Sequence, residues 1–210
     1  MNAKLILITG FAAAAACASA QMAITEFMYQ GNDGEFAEFT NIGASAIDMT
    51  GWSFDDNHEI PGTVDLSAFG IVDPGESVVL TETDADVFRT DWGLASTVKV
   101  IGGNTANLGR EDEINLYDQN GNLEDRLTYG DDTLGGPRTK GTSAITDPSN
   151  YMKNNIQGWF LSTDGVDGAH FSADGDLGSP GYNPVPEPAT FAALGLGLLG
   201  LVARKKRKSA

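Results

Sequence analysis

The clearest candidates for chemistry in this sequence are four aspartates in a glycine-rich stretch. Asp164 and Asp167 lie in Asp-Gly-Val-Asp-Gly, and Asp174 and Asp176 lie in Asp-Gly-Asp. Calcium takes about six to eight oxygen ligands, which acidic, glycine-rich loops can supply. The EF-hand pattern is absent, because no glutamate closes an aspartate-rich core at the required spacing. We therefore expect either a calcium site at these four residues or, as the alternative, a solvated acidic loop.

Groups suited to acid–base or nucleophilic catalysis are sparse. The sequence has two histidines, His58 and His170, and one cysteine, Cys17, near its N-terminus. It has no Gly-x-Ser-x-Gly, His-Glu-x-x-His or P-loop motif. Paired carboxylates can hydrolyse glycosides, but the 28 acidic residues between positions 21 and 185 make chance pairs unavoidable. We expect no enzymatic activity, no cofactor apart from the candidate calcium, and loop positions for both histidines.

The charge of the central region argues against one class of partner. Residues 21–185 contain 7 basic residues against 28 acidic ones, a net charge near −21. A field of this sign repels nucleic acid and anionic lipid head groups, and it favours solubility and cation uptake. We therefore expect no nucleic-acid binding.

The central region predicts short strands joined by polar turns. Runs rich in aromatic and β-branched residues occupy positions 22–29, 35–42, 77–81, 114–117 and 123–129. Gly-Asn-Asp-Gly and Asp-Gln-Asn-Gly separate the first and last pairs of runs, as in β-hairpins. Only residues 84–90 suggest a helix. Turn signals recur about every 8–12 residues, which favours a single all-β domain, an antiparallel sandwich or barrel, over residues 22–183.

The second run predicts a strand that is covered on both faces. Alternation places Phe36, Glu38 and Thr40 on one face, and Ala37, Phe39 and Asn41 on the other. Each face therefore carries an aromatic side chain. Trp52, which follows Gly51, is expected to anchor the core, and Gly178–Gly181 is expected to close the domain with a rigid turn.

Six weak motifs occur in order along the same region. They are Ala23–Tyr29, Glu35–Asn41, Ile47–Phe54, Pro74–Leu80, the hairpin Asp112–Gly130, and Trp159 with Gly178–Asn183. Together they resemble the lamin-tail domain, in which the second motif reads Trp-x-Glu-Leu-x-Asn and the third Leu-x-Gly-Trp-x-Leu. Phe36 stands in the tryptophan place, and Asn183 falls one residue early. The resemblance implies an immunoglobulin-like antiparallel β-sandwich.

Residues 1–20 have the pattern of a secretory signal peptide. A short charged start precedes the apolar run Leu5–Ala16, and Ala18-Ser-Ala20 forms a small-x-small cleavage site. The apolar run is shorter than the ~20 residues that a spanning helix needs. We expect export with cleavage after Ala20. In the alternative, Cys17 becomes a lipidated N-terminus, but the large apolar residue usual three positions before it is absent.

A bounded unit occupies residues 184–210. It starts with Val185, Pro186, Glu187 and Pro188, continues with an uncharged run at 189–203, and reaches five cations, Arg204, Lys205, Lys206, Arg207 and Lys208. As a helix the run would span only ~22 Å, against ~30 Å of hydrocarbon. Lysine and arginine side chains can extend such a span by snorkelling. We expect a short transmembrane helix with its basic end in the cytoplasm.

This unit resembles the PEP-CTERM sorting signal of Gram-negative bacteria, which has the same three parts in the same order. The resemblance implies recognition by an exosortase-type membrane transpeptidase near Pro186-Glu187-Pro188. The body would then be held in the periplasm by an inner-membrane anchor, and would reach the cell surface or the extracellular space after processing.

Two functions are compatible with these features. The first is an exported, non-enzymatic protein of the cell surface or extracellular matrix that associates with polysaccharide or other envelope components. The alternative is a secreted carbohydrate-binding or calcium-binding module accessory to a hydrolase. Carbohydrate binding would use exposed aromatic side chains, for which Trp92 and Tyr151 are the candidates.

Overall fold

The computed structural model of the protein describes residues 21–183. Strands and loops make up nearly all of this range, together with one α-helix, α1 (Ala85–Asp91), and three 3-10 turns at Ser67–Phe69, Pro148–Asn150 and Ile156–Gly158. The strands are β1 (Met22–Met28), β2 (Phe36–Asn41), β3 (Ile47–Asp48), β4 (Ser53–Asp55), β5 (Val64–Asp65), β6 (Ile71–Val72), β7 (Ser77–Thr81), β8 (Lys99–Ile101), β9 (Glu111–Tyr117), β10 (Leu123–Gly130), β11 (Ala144–Thr146), β12 (Trp159–Leu161), β13 (His170–Phe171) and β14 (Leu177–Gly178). Within residues 21–183, no helix has the length and apolar character needed to cross a membrane.

Two main sheets form a sandwich. One has the strand order β12-β11-β1-β2-β7-β8, the other β10-β9-β4-β5, and two small sheets pair β3 with β6 and β13 with β14. The core lies between the main sheets. Phe27 and Tyr129 meet across it with ring centroids 4.4 Å apart, and Trp52 is buried in the same cluster. This arrangement confirms the predicted all-β class and agrees with an immunoglobulin-like sandwich.

Local sequence signals placed the main strands well. The predicted runs at 22–29, 35–42 and 77–81 correspond to β1, β2 and β7 to within two residues. The Asn-Gly turn joins β9 to β10, with Gly121 at φ 75°, where a side chain would be strained. The short helix predicted near residues 84–90 is α1. Its N-cap is Asp84, whose carboxylate accepts hydrogen bonds from the N–H groups of Asp86 and Val87.

The predicted antiparallel sandwich has one parallel strand pair, at an edge of the six-stranded sheet. Strand β8 pairs with β7 in parallel, with Val78 opposite Lys99 and Leu80 opposite Ile101. The connection between them contains α1, and a crossover through a helix returns the chain in the same direction. The remaining strand pairs of residues 21–183 are antiparallel, isolated bridges aside.

The six-stranded sheet is covered on both faces, as the sequence of β2 predicted. Phe39 faces the sandwich core, whereas Phe36 packs on the opposite face in a second cluster with Phe88 and Trp92. The expectation that Trp92 is an exposed aromatic is therefore wrong, because its ring is only 1% exposed. Helix α1 needs a hydrophobic anchor against the sheet, and Phe88 and Trp92 provide it.

Candidate functional site

Two glutamates lie in the middle of the six-stranded sheet, on the face turned away from the sandwich core. Glu26 of β1 is opposite Glu38 of β2, and their exposed fractions are 1% and 0%. Strand alternation puts Glu38 on the same face as Phe36. A register shift between Ile24 and Glu26 marks a β-bulge, which inserts Thr25 beside the pair.

Three donors converge on the carboxylate of Glu26. The Ser179 backbone N–H donates to Oε1 at 2.7 Å, and its hydroxyl donates to Oε2 at 2.8 Å. The Ser143 hydroxyl also donates to Oε1, and it lies 2.7 Å from the hydroxyl oxygen of Ser162. Residues far apart in sequence thus meet at one buried carboxyl group.

The carboxylate of Glu38 likewise accepts hydrogen bonds at both of its oxygens. The Thr25 hydroxyl donates to Oε1 at 2.6 Å, and the Gly181 N–H donates to Oε2 at 2.7 Å. A longer contact of 3.4 Å joins the Thr40 hydroxyl to Oε1. All four oxygens of the glutamate pair therefore have protein donors.

Burial controls the protonation of this pair. Loss of solvation and then the negative charge of Glu26 raise the pKa of Glu38 to about 8, although the hydrogen bonds from Thr25 and Gly181 act in the opposite direction. Burial also raises the pKa of Glu26, against the hydrogen bonds from Ser143 and Ser179. The pair therefore retains a proton at neutral pH.

The geometry lets this pair hold the closing turn of the domain against the sheet. The turn is fixed by a 3.0 Å hydrogen bond from the Tyr182 N–H to the Ser179 carbonyl. Gly181 has φ 81°, and a Cβ there would lie 2.8 Å from a methyl carbon of Val98. The turn predicted at Gly178–Gly181 is present, and its Ser179 and Gly181 donate hydrogen bonds to the two glutamates.

A cleft of about 240 Å³ opens beside the glutamate pair and the closing turn. Tyr151, Phe160 and Tyr182 line it together with Asp147 and Asp167. The side chains of Phe160 and Tyr182 are 43% and 54% exposed, so aromatic surface is available to a ligand. This cleft combines apolar faces with carboxylates and hydroxyls, which is the composition of a site for a polar organic ligand.

Two of these aromatic rings are held in place. The Tyr151 hydroxyl donates to Asn183 Oδ1 at 2.8 Å, and burial raises its pKa to about 12, so it stays neutral. The Tyr182 ring packs on Gly168, where a Cβ would lie 2.3 Å from Cδ1 of the ring. Any side chain at Gly168 would displace Tyr182 from the cleft.

The four aspartates of the predicted calcium site are divided among different surroundings. Asp164 and Asp167 lie on an exposed turn, and Asp167 borders the cleft. Asp176 is buried, and its carboxylate accepts a hydrogen bond from the Asp33 N–H at 2.9 Å. Among residues 21–183, no three of these four present oxygens within metal-binding distance of one another.

Asp174 instead lies close to two aspartates that the sequence did not single out. Asp33, Asp91 and Asp174 each place a carboxylate oxygen within 4.8 Å of the other two. Asp33 belongs to the loop between β1 and β2, and Asp91 is the last residue of α1. Three segments distant in sequence therefore form this group.

The two histidines differ in position. His58 lies in an exposed turn, and its Nδ1 is 2.6 Å from Asp56 Oδ1. The hydrogen bond to Asp56 and its negative charge raise the pKa of His58. His170 lies in β13, where its Nε2 is 2.9 Å from the Trp92 carbonyl oxygen. The prediction of a loop position is thus confirmed for His58 and wrong for His170, which pairs opposite Gly178.

Comparison with family models identifies both parts of the chain. The Lamin Tail Domain model matches residues 15–131, more than half of the sequence, and the chain belongs to this family. A second model, the PEP-CTERM protein-sorting motif, matches residues 184–208. No curated protein matches the chain significantly. The protein is thus a lamin-tail-domain protein with an export and membrane-linked sorting signal of bacteria.

The family match ends before the cleft is complete. Glu26 and Glu38 lie inside the matched range, whereas Ser143, Ser179 and the aromatic residues of the cleft follow residue 131. Strands β11 and β12 extend the six-stranded sheet beside β1. The cleft therefore forms where the matched domain meets the later part of the chain.

The predicted processing sites lie outside the described residues. These are the signal cleavage residues Ala18 and Ala20, the motif Val185, Pro186, Glu187 and Pro188, the helix at 189–203, and the basic residues Arg204, Lys205, Lys206, Arg207 and Lys208. The sorting-motif match at 184–208 supports the second group as a unit.

Sequence reasoning missed the glutamate pair and two of the three clustered aspartates. A signal for the pair was present, because a charged residue inside a strand with aromatics on both faces must be buried. Glu38 meets this condition between Ala37 and Phe39. No comparable signal exists for Asp33 or Asp91, which occupy turn and helix-end positions where aspartate is usually solvated.

Proposed function

We propose that this chain is a non-enzymatic protein of the cell surface or extracellular matrix, processed by an exosortase-type membrane transpeptidase. The observation that carries the proposal is the sorting motif at residues 184–208, which directly follows the closing turn of the sandwich. The transpeptidase would act near Pro186-Glu187-Pro188 and remove the apolar segment with its basic end.

The charge distribution supports a transient anchor in the inner membrane of a Gram-negative cell. Five cations at residues 204–208 favour the cytoplasmic side, which leaves the acidic body on the periplasmic side. After processing, a body with net charge near −21 would be soluble and repelled by anionic lipid. It would then associate with polysaccharide or other envelope components.

A structural role for the buried glutamates supports the absence of catalysis. General acid–base catalysis requires a carboxyl group within hydrogen-bond reach of substrate. Glu26 and Glu38 are nearly inaccessible, and each of their oxygens already accepts a hydrogen bond from the protein. They serve the fold, because they tie the closing turn to the sheet.

Mass spectrometry of the mature termini tests this proposal. In cells that contain the transpeptidase, we expect the protein to begin after Ala20 and to end near Pro188. In cells without it, the C-terminus should remain at Ala210. Glu187→Ala should block processing, whereas Asp164→Ala, on an exposed turn of the body, should not. A C-terminus at Ala210 in normal cells would contradict the proposal.

The cleft favours a second candidate function, carbohydrate binding. Exposed aromatic faces at Phe160 and Tyr182 suit stacking against sugar rings, and neighbouring carboxylates suit their hydroxyls. A glycan array probed with the secreted protein tests this function. Tyr182→Ala should abolish specific binding, and the matched control Phe171→Ala, which removes a similarly exposed aromatic away from the cleft, should not. Equal signals from both variants would exclude the cleft.

A further inference from the structure

The group Asp33, Asp91 and Asp174, here called the three-aspartate cluster, lies near one end of the six-stranded sheet. One carboxylate oxygen from each residue lies within 4.8 Å of the other two. Asp33 is buried, Asp91 is half-buried and Asp174 is exposed. The cluster therefore has a closed inner end and an open outer end, through which a small ion can enter.

The inner aspartate has no protein partner for its charge. The side chain of Asp33 is 3% exposed, and no donor reaches either of its carboxylate oxygens with hydrogen-bond geometry. Burying an unpaired carboxylate is costly, and buried charges in proteins are normally paired or bound to metal. None of the ion pairs among residues 21–183 includes Asp33, Asp91 or Asp174.

The electrostatics of the cluster favour a cation, because three further carboxylates lie around the buried Asp33. Burial raises the pKa of Asp33, and the negative charges of Asp176, Asp91 and Asp174 raise it further; the nearby Ser172 hydroxyl offsets part of the rise, although it does not meet the geometry of a hydrogen bond to Asp33. A bound cation would neutralise this repulsion and favour the ionised carboxylate.

The backbone around the cluster is fixed by contacts that do not use the three carboxylates. The Asp33 N–H donates to Asp176 Oδ2 at 2.9 Å, and Asn32 Nδ2 donates to the Asp174 carbonyl at 3.0 Å. The Ala173 N–H donates to the Asp91 carbonyl at 2.7 Å. The main chain thus holds the three carboxylates together and leaves their oxygens available.

We propose that Asp33, Asp91 and Asp174 bind a divalent cation, and that calcium is the cation they select. All donors of the cluster are carboxylate oxygens, with no histidine or cysteine among them, and such donors suit hard cations. Calcium accepts irregular oxygen sites completed by water, whereas magnesium demands near-octahedral geometry and sheds water reluctantly. The bound ion would join the β1–β2 loop, α1 and the β13–β14 loop, independently of how the protein is sorted.

Calcium titration of the full chain, purified in detergent and freed of metal with a chelator, tests the proposal. We expect one saturable site by calorimetry and a rise in melting temperature with calcium chloride, because the ion binds only the folded state. Magnesium chloride at the same concentration should give a clearly smaller rise. No saturable calcium binding at millimolar concentration, or an equal response to magnesium, would overturn the proposal.

Matched variants locate the ion. Asp33→Asn should weaken calcium binding at least ~10-fold, the lower range for disturbing a metal site. Asp174→Asn, at the exposed end of the cluster, should do the same without risk to the core. Asp164→Asn, on the exposed turn outside the cluster, should bind calcium like the wild type. Weakening by Asp164→Asn, or unchanged binding by Asp174→Asn, would overturn the assignment.

Discussion

The glutamate pair and the three-aspartate cluster both contain buried carboxyl groups, but the two differ in the hydrogen bonds that these groups accept. All four oxygens of Glu26 and Glu38 accept hydrogen bonds from serine, threonine or backbone donors. The two oxygens of Asp33 accept none, and the negative charges of Asp176, Asp91 and Asp174 lie nearby. A buried carboxyl group whose oxygens all accept hydrogen bonds stabilises the fold. A buried carboxyl group without hydrogen bonds, close to other negative charges, is instead a candidate binding site for a cation.

The largest effect should come from deleting one member of the satisfied pair. Glu26→Ala leaves the donors of Ser143 and Ser179 buried without an acceptor, and each such group costs about 1–3 kcal/mol. We expect the free energy of unfolding to fall by about 4 kcal/mol in total, as measured by urea denaturation. Glu26→Gln, which keeps an acceptor and the shape, should lose much less. Equal losses from the two variants would show that the hydrogen bonds are not what holds the turn.

The glutamate pair should also make stability depend on pH. Burial raises the pKa of Glu38 from 4.5 to about 8, so the folded state binds more protons than the unfolded state between these values. The free energy of unfolding should therefore be highest below this window and fall as pH rises towards 8.

Urea denaturation at pH 5, 6, 7 and 8 measures this dependence. The slope should reach about −1 kcal/mol per pH unit for each such group, and Glu35, whose pKa burial also raises to about 8, adds to it. Glu38→Gln should remove part of the slope and leave the share of Glu35. A stability profile that rises from pH 5 to 8, or one unchanged by Glu38→Gln, would contradict the protonated pair.

Neutralising Asp33, which accepts no hydrogen bond, should not lower the free energy of unfolding as Glu26→Ala does. Asp33→Asn breaks no side-chain hydrogen bond and removes repulsion from three nearby carboxylates. In the presence of a chelator, we expect the variant to be as stable as the wild type or more stable, by up to about 1 kcal/mol. Urea denaturation with and without calcium measures the difference. A decrease in the free energy of unfolding comparable to that of Glu26→Ala would mean that the Asp33 carboxylate stabilises the fold.

The ion pair between Arg110, whose side chain is 48% exposed, and Asp131 gives the smallest expected effect. Asp131 is paired with Arg110 through two hydrogen bonds of 2.6 and 2.8 Å, and this pairing lowers the pKa of Asp131. Solvent screens such pairs, so Arg110→Gln should leave the urea midpoint indistinguishable from that of the wild type at physiological salt. A clear drop would mean that this ion pair contributes measurably to the stability of the domain in spite of solvent screening.

The parts of the fold that were predictable depend on local signals. Alternating residues and the Asn-Gly turn specify β9 and β10, and Asp84 specifies the start of α1, because these preferences act within a few residues. The parallel pairing of β7 with β8 was not predictable in this way. It depends on where α1 docks, and that is set by the burial of Phe88 and Trp92 against Phe36.

The sequence by itself determined the class of the protein, its acidic body and the sorting motif at residues 184–208, since these are properties of composition and contiguous pattern. Only the tertiary structure decided which acidic residues are buried and which lie close to one another. Glu26 meets Ser179, and Asp33 meets Asp91 and Asp174, across separations of 58 to 153 residues in the chain. An acid's surroundings are set by long-range packing, and with 28 acids in the body, spacing along the chain could not select the few that packing buries and brings together.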